Sequence, residues 1–250
     1  MQIHQPYHLR MCTTFYNVVS YLTAGIHYVM LHTGLLKAPC YLANTPGSAY
    51  KILRHIWCAR IFRRMLSVLV RSPLRRDTLR LIHFTVPLPT SSGCVIVICH
   101  TPWKRLLVQW CLENNFGLVV ASGNWPHQRK LIQRRAKGFR EMREIVHHLQ
   151  QNGRIIIAAD IFDNLNNCPV KFLGNSFNAS VLPARLARLT NVPLIVAIPA
   201  LYNGSIHFIP GPQVEFNLLA GDTNSIIQNV ISFLEKEIIK DPAIWPSYVK

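Results

Sequence analysis

Residues 94–99 read Cys-Val-Ile-Val-Ile-Cys, and this run restricts the possible folds more than any other feature of the chain. A strand with one wet face alternates apolar and polar residues, so a strand apolar at every position has to be covered on both faces. Two further runs behave alike: 154–159 (RIIIAA) and 193–198 (PLIVAI). Between and after them the apolar spacing becomes helical over 106–115, 140–151 and 182–189, with a strand at 117–121 and another at 206–209. A last helix is predicted over 223–240, apolar at Ile226, Ile227, Val230, Phe233, Leu234 and Ile238 and closed by Asp241-Pro242. Pro199 is expected to end the strand before it. Strands alternating with helices predict an α/β fold with a mostly parallel central sheet flanked by helices. The chain has no internal repeat and no glycine-rich phosphate loop.

Upstream of the sheet the chain changes character. From 11 to 36 there is no Lys, Arg, Asp or Glu, and 18–36 is mostly apolar. A spanning helix needs roughly 20 apolar residues, and Asn17, Ser20, Thr23, His27 and His32 dilute this one. It lacks the basic start and small-residue cleavage site of a signal peptide. The segment reads either as a helix lying in or barely crossing a membrane or as a helix buried in the protein. Residues 51–80 carry nine Lys and Arg against Asp77 alone, interleaved at helical spacing with Ile52, Leu53, Ile56, Trp57, Ile61, Phe62, Leu66, Val68 and Leu69. Such a helix suits an anionic lipid surface; its alternative is an ordinary amphipathic helix with a solvated basic face. The expected division is therefore an N-terminal membrane-associating segment, 1–50, and an α/β domain, 51–250.

The charge points to the partner. With 27 Lys and Arg against 11 Asp and Glu, the 250 residues carry a formal +16, which calls for something anionic. Half of the residues are hydrophobic and 15% are charged, which favours a membrane over nucleic acid and excludes disorder. Nucleic-acid binding would rest on charge alone. Seven cysteines, an odd number with no Cys-x-x-Cys pair, match neither a disulfide framework nor a zinc site and imply free thiols in a reducing compartment. No metal or nucleotide cofactor is implied.

Ligand sites in open α/β sheets gather at the carboxyl ends of the strands. Two polar features occupy such ends: His100-Thr101-Pro102-Trp103-Lys104-Arg105 after the first run, and Asp160-Ile161-Phe162-Asp163 after the second. A histidine there, with a helix starting a few residues on, is well placed as a general base. The order CVIVICH at 94–100, GRIIIAAD at 153–160, VKFLG at 170–174 and ARLARLTNVPLIV at 184–196 resembles the lysophospholipid acyltransferase superfamily. With IHFIPGPQVEF at 206–216 and the tail from Asp241, it is most similar to the bacterial lipid A late (lauroyl/myristoyl) acyltransferase branch. The resemblance covers roughly 85–250.

That resemblance implies an acyl transfer. The histidine takes a proton from an acceptor hydroxyl, which attacks an acyl thioester on acyl carrier protein or coenzyme A, the co-substrate. It implies a membrane-associated enzyme at the cytoplasmic face, the inner membrane in a bacterium, acting on a lipid or glycolipid. It also implies His100 as base and Asp160 as supporting acid, with Trp103, Lys104, Arg105 and Arg185 as contacts to substrate. In the family an Asp or Glu stands five residues after the histidine and orients it; here Arg105 stands there and Lys104 before it. A cation cannot accept a hydrogen bond from the ring and disfavours the imidazolium. Three accounts follow. Another carboxylate, Asp160 before Glu113, reaches His100; or His100 works without one; or catalysis is lost and lipid binding kept. The basic stretch 129–143 reads as a solvated face or as a surface for an anionic lipid or an acidic carrier protein.

Overall fold

The computed structural model describes residues 49–69, 73, 75–119, 139–159, 167–202, 204–214, 222–241 and 244, together with Val18, Val19, Leu22, Ala24 and Ile26. Those five positions are helical; Ala24 is buried, while Val18, Leu22 and Ile26 are exposed. The rest of 11–36, the stretch 129–138 and Asp160 lie outside the described residues.

Helix α1 is Ala49–Leu69 and α2 is Arg75–Leu79. Then come β1 (Ile82–Phe84), β2 (Cys94–Ile98), α3 (Lys104–Glu113), β3 (Phe116–Val119), α4 (Phe139–Gln150) and β4 (Arg154–Ala158). A hairpin of β5 (Asn167–Phe172) and β6 (Asn175–Ser180) precedes α5 (Leu182–Thr190), β7 (Leu194–Tyr202), β8 (Ser205–Val214) and α6 (Thr223–Lys240). Six strands form one sheet in the order β1-β8-β7-β2-β4-β3, in which only β7 and β8 pair antiparallel. The sheet is the mostly parallel one that the apolar runs require, and β2 sits inside it with every residue buried.

The period of two along the strands sorts the core into two layers. Cys94, Ile96, Ile98, Ile156, Ile195 and Ala197 face α1 and α3. Val95, Val97, Cys99, Ile155, Ile157, Leu194 and Val196 face α4, α5, α6 and the hairpin. Helix α1 buries Ile52, Leu53, Ile56, Ala59, Phe62 and Leu66, one helical stripe, and leaves Arg64 and Val68 outside. Each such Leu, Ile or Phe contributes roughly 1.5–3 kcal/mol on burial, so α1 belongs to the same core as the sheet. Five of the cysteines, Cys58, Cys94, Cys99, Cys111 and Cys168, are buried and free. Burial pushes the Cys94 thiol up to about 11 and the Cys111 thiol up to about 12, so both are apolar filler.

Strand β7 runs past the proline expected to stop it, and β8 also runs past a proline. Beyond Val196, β7 has no β2 residue beside it, so Pro199 faces an open edge and its missing N–H breaks no ladder. Pro210 of β8 likewise falls beyond the three residues paired with β1. The hairpin turn puts Leu173 at φ 49° and Gly174 at φ 75°, a conformation that costs a leucine. The Leu173 N–H donates to Glu235 Oε1 of α6 at 2.6 Å, which fastens that turn.

Close approach, and no special dihedral, fixes two glycines. Gly93 and Gly153 lead into β2 and β4 beneath the last turn of α4, and the Cys94 N–H donates to the Gly153 carbonyl at 3.2 Å. A methyl group on Gly93 would meet the Gly153 carbonyl oxygen at 2.6 Å and the Leu149 carbonyl. A Gly93→Ala variant is accordingly expected to lose about 1–3 kcal/mol of stability by overpacking against backbone, readable by chemical denaturation. Stability within a few tenths of the parent would show that the α4 turn gives way.

One ion pair ties the two layers together at the sheet edge. His55 Nδ1 of α1 lies 3.2 Å from Asp241 Oδ1 at the end of α6. The hydrogen bond to Asp241 raises the His55 pKa above 6.5; burial opposes it, while the Asp241 charge and the Leu201 backbone support it and Arg54 opposes. A raised folded-state pKa means the pair contributes fully below 6.5 and is lost as pH climbs through the folded value. Thermal unfolding of the parent should therefore weaken from neutral to mildly alkaline pH relative to Asp241→Asn. Parallel pH profiles for the two proteins would contradict this.

Candidate functional site

Strands β2, β3, β4 and β7 run in one direction, so their carboxyl ends share an edge. The site is built where β2 leaves the sheet. Cys99 is fully buried and His100, next in the chain, is exposed. Thr101, Pro102 and Trp103 turn back into the core. The Thr101 hydroxyl oxygen, itself buried, accepts the Trp103 backbone N–H at 3.2 Å. That short-range bond closes the turn and lets α3 begin at Lys104. His100 is thus the point where a buried strand and a buried turn reach solvent together. It stands on a buried base, which suits a positioned proton acceptor.

Trp103 occupies an unusual place for a tryptophan, the N-cap of α3, and makes no side-chain cap. Its ring meets Phe62 of α1 edge-on at 5.7 Å and is 3% exposed. Its indole N–H is buried without a partner. The tryptophan that the sequence suggests as a substrate contact therefore sits under the site, wedged between α1 and α3. Lys104 is exposed in the first turn, and Arg105 follows it in the helix.

The start of α3 is poorly made by local rules. A helix N-terminus carries about half a positive charge and favours Asp, Glu or a capping oxygen. This one has no acid in its first turn, no side-chain cap and two adjacent cations. The first turn of α3 is therefore positive, from the macrodipole and from the charges of Lys104 and Arg105, and such a helix start favours an anion. Tertiary burial of Leu106, Leu107, Val108, Trp110 and Cys111 holds the helix regardless.

The carboxylates suggested by the sequence separate under this geometry. Glu113 ends α3, nine residues from its start. At about 1.5 Å per residue that is roughly 14 Å along an axis leading away from His100, which removes it as a partner. The β2–β4 ladder continues one step beyond the strands, with the Ala159 N–H donating to the Ile98 carbonyl at 2.9 Å. Asp160, the next residue, lies outside the described residues. Arg185 is exposed on α5, which packs on the opposite face of the sheet from α3. The structure therefore brings His100, Thr101, Trp103, Lys104 and Arg105 into one turn and places Arg185 in the other layer. Nothing in the sequence signals the His55–Asp241 pair, because neither residue stands in a motif that predicts the other. Among the described residues no three His, Cys, Asp or Glu side chains cluster as a metal site.

Residues 122–247, just over half of the chain, match the model of the bacterial lipid A biosynthesis acyltransferase family. The match begins after His100. Among solved structures the chain is similar to the 1-acyl-sn-glycerophosphate (LPA) acyltransferase PlsC from Thermotoga maritima. The identity is 11%, over 89% of this chain and 97% of that one, with a TM-score of 0.41. No curated protein matches the chain.

The dipole argument has a direct check. Arg105→Glu replaces a repelled charge by an attracted one in the first turn and should stabilise the fold by about 1 kcal/mol, measured by denaturant unfolding at low salt. Destabilisation would mean that the Arg105 side chain makes a contact worth more than the field it opposes.

Proposed function

The chain belongs to the bacterial lipid A biosynthesis acyltransferase family, and from that membership we propose that it moves a fatty acyl chain from a thioester to a lipid or glycolipid acceptor. The donor is acyl carrier protein or coenzyme A. The observation that carries this reading is the exposed His100, raised on a buried strand and turn beside a helix start. His100 takes the proton of the acceptor hydroxyl as its oxygen attacks the thioester carbonyl. The carbon–sulfur bond then breaks, and the thiol leaves with that proton. Lys104 and Arg105 hold an anionic group of the acceptor in the positive field of the helix start. Asp160 supplies the supporting carboxylate, Trp103 stiffens the turn from below, and Arg185 reaches the acceptor from across the edge.

The same reading places the reaction at a membrane. The outer side of α1 carries Arg64 and Val68, the latter 68% exposed, with the Arg60 guanidinium 4.8 Å from the centre of the Trp57 ring. Val18, Leu22 and Ile26 recur at i, i+4 and i+8, an apolar stripe on the upstream helical segment. Arginine, tryptophan and aliphatic side chains together suit an anionic lipid surface on the cytoplasmic side. Among the described residues no helix is long and apolar enough to cross a membrane. A second reading, a lipid-binding protein that has lost the reaction, is favoured by one observation: the cations at 104 and 105 where the family keeps an acid.

The test is transfer of labelled acyl groups from carrier-protein and coenzyme A thioesters into a total lipid extract. His100→Ala should lose transfer with the fold retained. Arg105→Glu should raise turnover roughly tenfold or more, a part of the ~10⁴ that an orienting carboxylate supplies in the protease triad. Undiminished turnover in His100→Ala sinks the mechanism. No transfer by the parent or by Arg105→Glu, with lipid binding intact, establishes the second reading.

A further inference from the structure

The edge strand β1 and its neighbour β8 carry the same tripeptide, Ile-His-Phe, at 82–84 and at 206–208. They pair in parallel and in register, Ile82 beside Ile206, His83 beside His207 and Phe84 beside Phe208. Ile82, Ile206, Phe84 and Phe208 belong to the core layer of α1 and α3. Side chains alternate along a strand, so burying those four sends both histidines to the other face. A slip by one residue would reverse every side chain, which fixes the register. The two imidazole rings stack there, with centroids 4.7 Å apart and planes 24° from parallel. That separation is the spacing of the strands themselves, ~4.7–4.9 Å. Both rings are partly exposed, and Tyr202 stands nearly perpendicular to His207 at 5.9 Å. Among the described residues no hydrogen bond or ion pair occupies the nitrogens of either ring.

Such a pair is a poor lock for an edge strand of three residues, because two charged rings would repel. Burial, and then the charge of His83, hold the His207 pKa below its ordinary value, so its ring is neutral near neutral pH. A neutral imidazole offers a lone pair, which suits a borderline metal ion better than an anion. The geometry points to a site for a divalent transition-metal ion, such as zinc or nickel, chelated by His83 and His207 across the β1–β8 pair with water completing its shell. Imidazole nitrogens bind zinc at about 2.0–2.1 Å, so a tetrahedral angle needs the two donor atoms roughly 3.3 Å apart. Histidine χ2 is a broad torsion, and ring rotation on a fixed backbone opens the stack to that approach. No lysine or arginine contributes to the His207 shift, so the formal +16 of the chain is not concentrated here. The two ligands are distant in sequence and meet only when β1 has docked on β8. The ion therefore binds the folded chain in preference to the unfolded one and clamps the edge strand to the sheet. A clamp of this kind needs nothing from the acyl-transfer reading.

The experiment uses the full chain in detergent, freed of metal by a chelator that is then removed. Zinc, nickel and magnesium ions are titrated against the parent, His83→Ala, His207→Ala, His83→Phe and His207→Phe, by calorimetry and by thermal unfolding. Zinc and nickel should bind the parent and raise its Tm as their concentration rises. Magnesium, which takes oxygen ligands, should do neither. Each alanine variant should lose at least about tenfold in zinc affinity and lose the Tm shift. The phenylalanine variants keep a stacked ring and remove the lone pair. They should unfold near the parent's temperature without metal and show no shift with it. Copper bound to the parent should give the spectroscopic signature of two nitrogen ligands, and of one in either single variant. Equal zinc affinity in the parent and the variants would put the ion on other histidines and overturn the site. A Tm shift that survives in the phenylalanine variants, or a parent that binds neither zinc nor nickel at millimolar concentration, overturns it too.

Discussion

The need to cover β2 on both faces governs the rest of the molecule. A strand of Cys, Val and Ile has no side chain that can meet water, so it needs a strand on either edge and a helical layer above and below. Those layers are α1 with α3 on one side and α4, α5 and α6 on the other. With both faces used, the strand can reach solvent only at an end. His100 is the residue at that end, and its exposure follows from the burial of the five residues of β2 and Cys99 before it. The position of the site is in this sense a consequence of the core.

The carboxyl edge also explains why the charge at α3 matters. Most helices soften their first turn with an acid or a capping oxygen; α3 adds two cations to a dipole that is already positive. Its stability then comes from burial of Leu106, Leu107, Val108, Trp110 and Cys111, and the positive first turn stands next to the strand end as a place that favours an anion.

Periodicity shows the elements that bury both faces or one clear stripe, which is why 223–240 and the apolar runs at 94–99 and 154–159 are legible almost to the residue, while the run at 193–198 goes on to Tyr202. Proline was the misleading signal. It stops a strand only where a neighbour needs the missing N–H, and the sequence does not say that β2 ends before Pro199 or that β1 pairs with only three residues of β8. The β5–β6 hairpin escaped for a related reason: its turn uses Leu173 at positive φ, a choice that Glu235, sixty-two residues away, makes tolerable. The candidate site was legible as far as it is local, from His100 to Arg105. The resemblance implies Trp103 as a substrate contact; only the packing of Phe62 from α1 puts its ring underneath the turn. His55 and Asp241 were invisible because their pairing depends on where two layers meet.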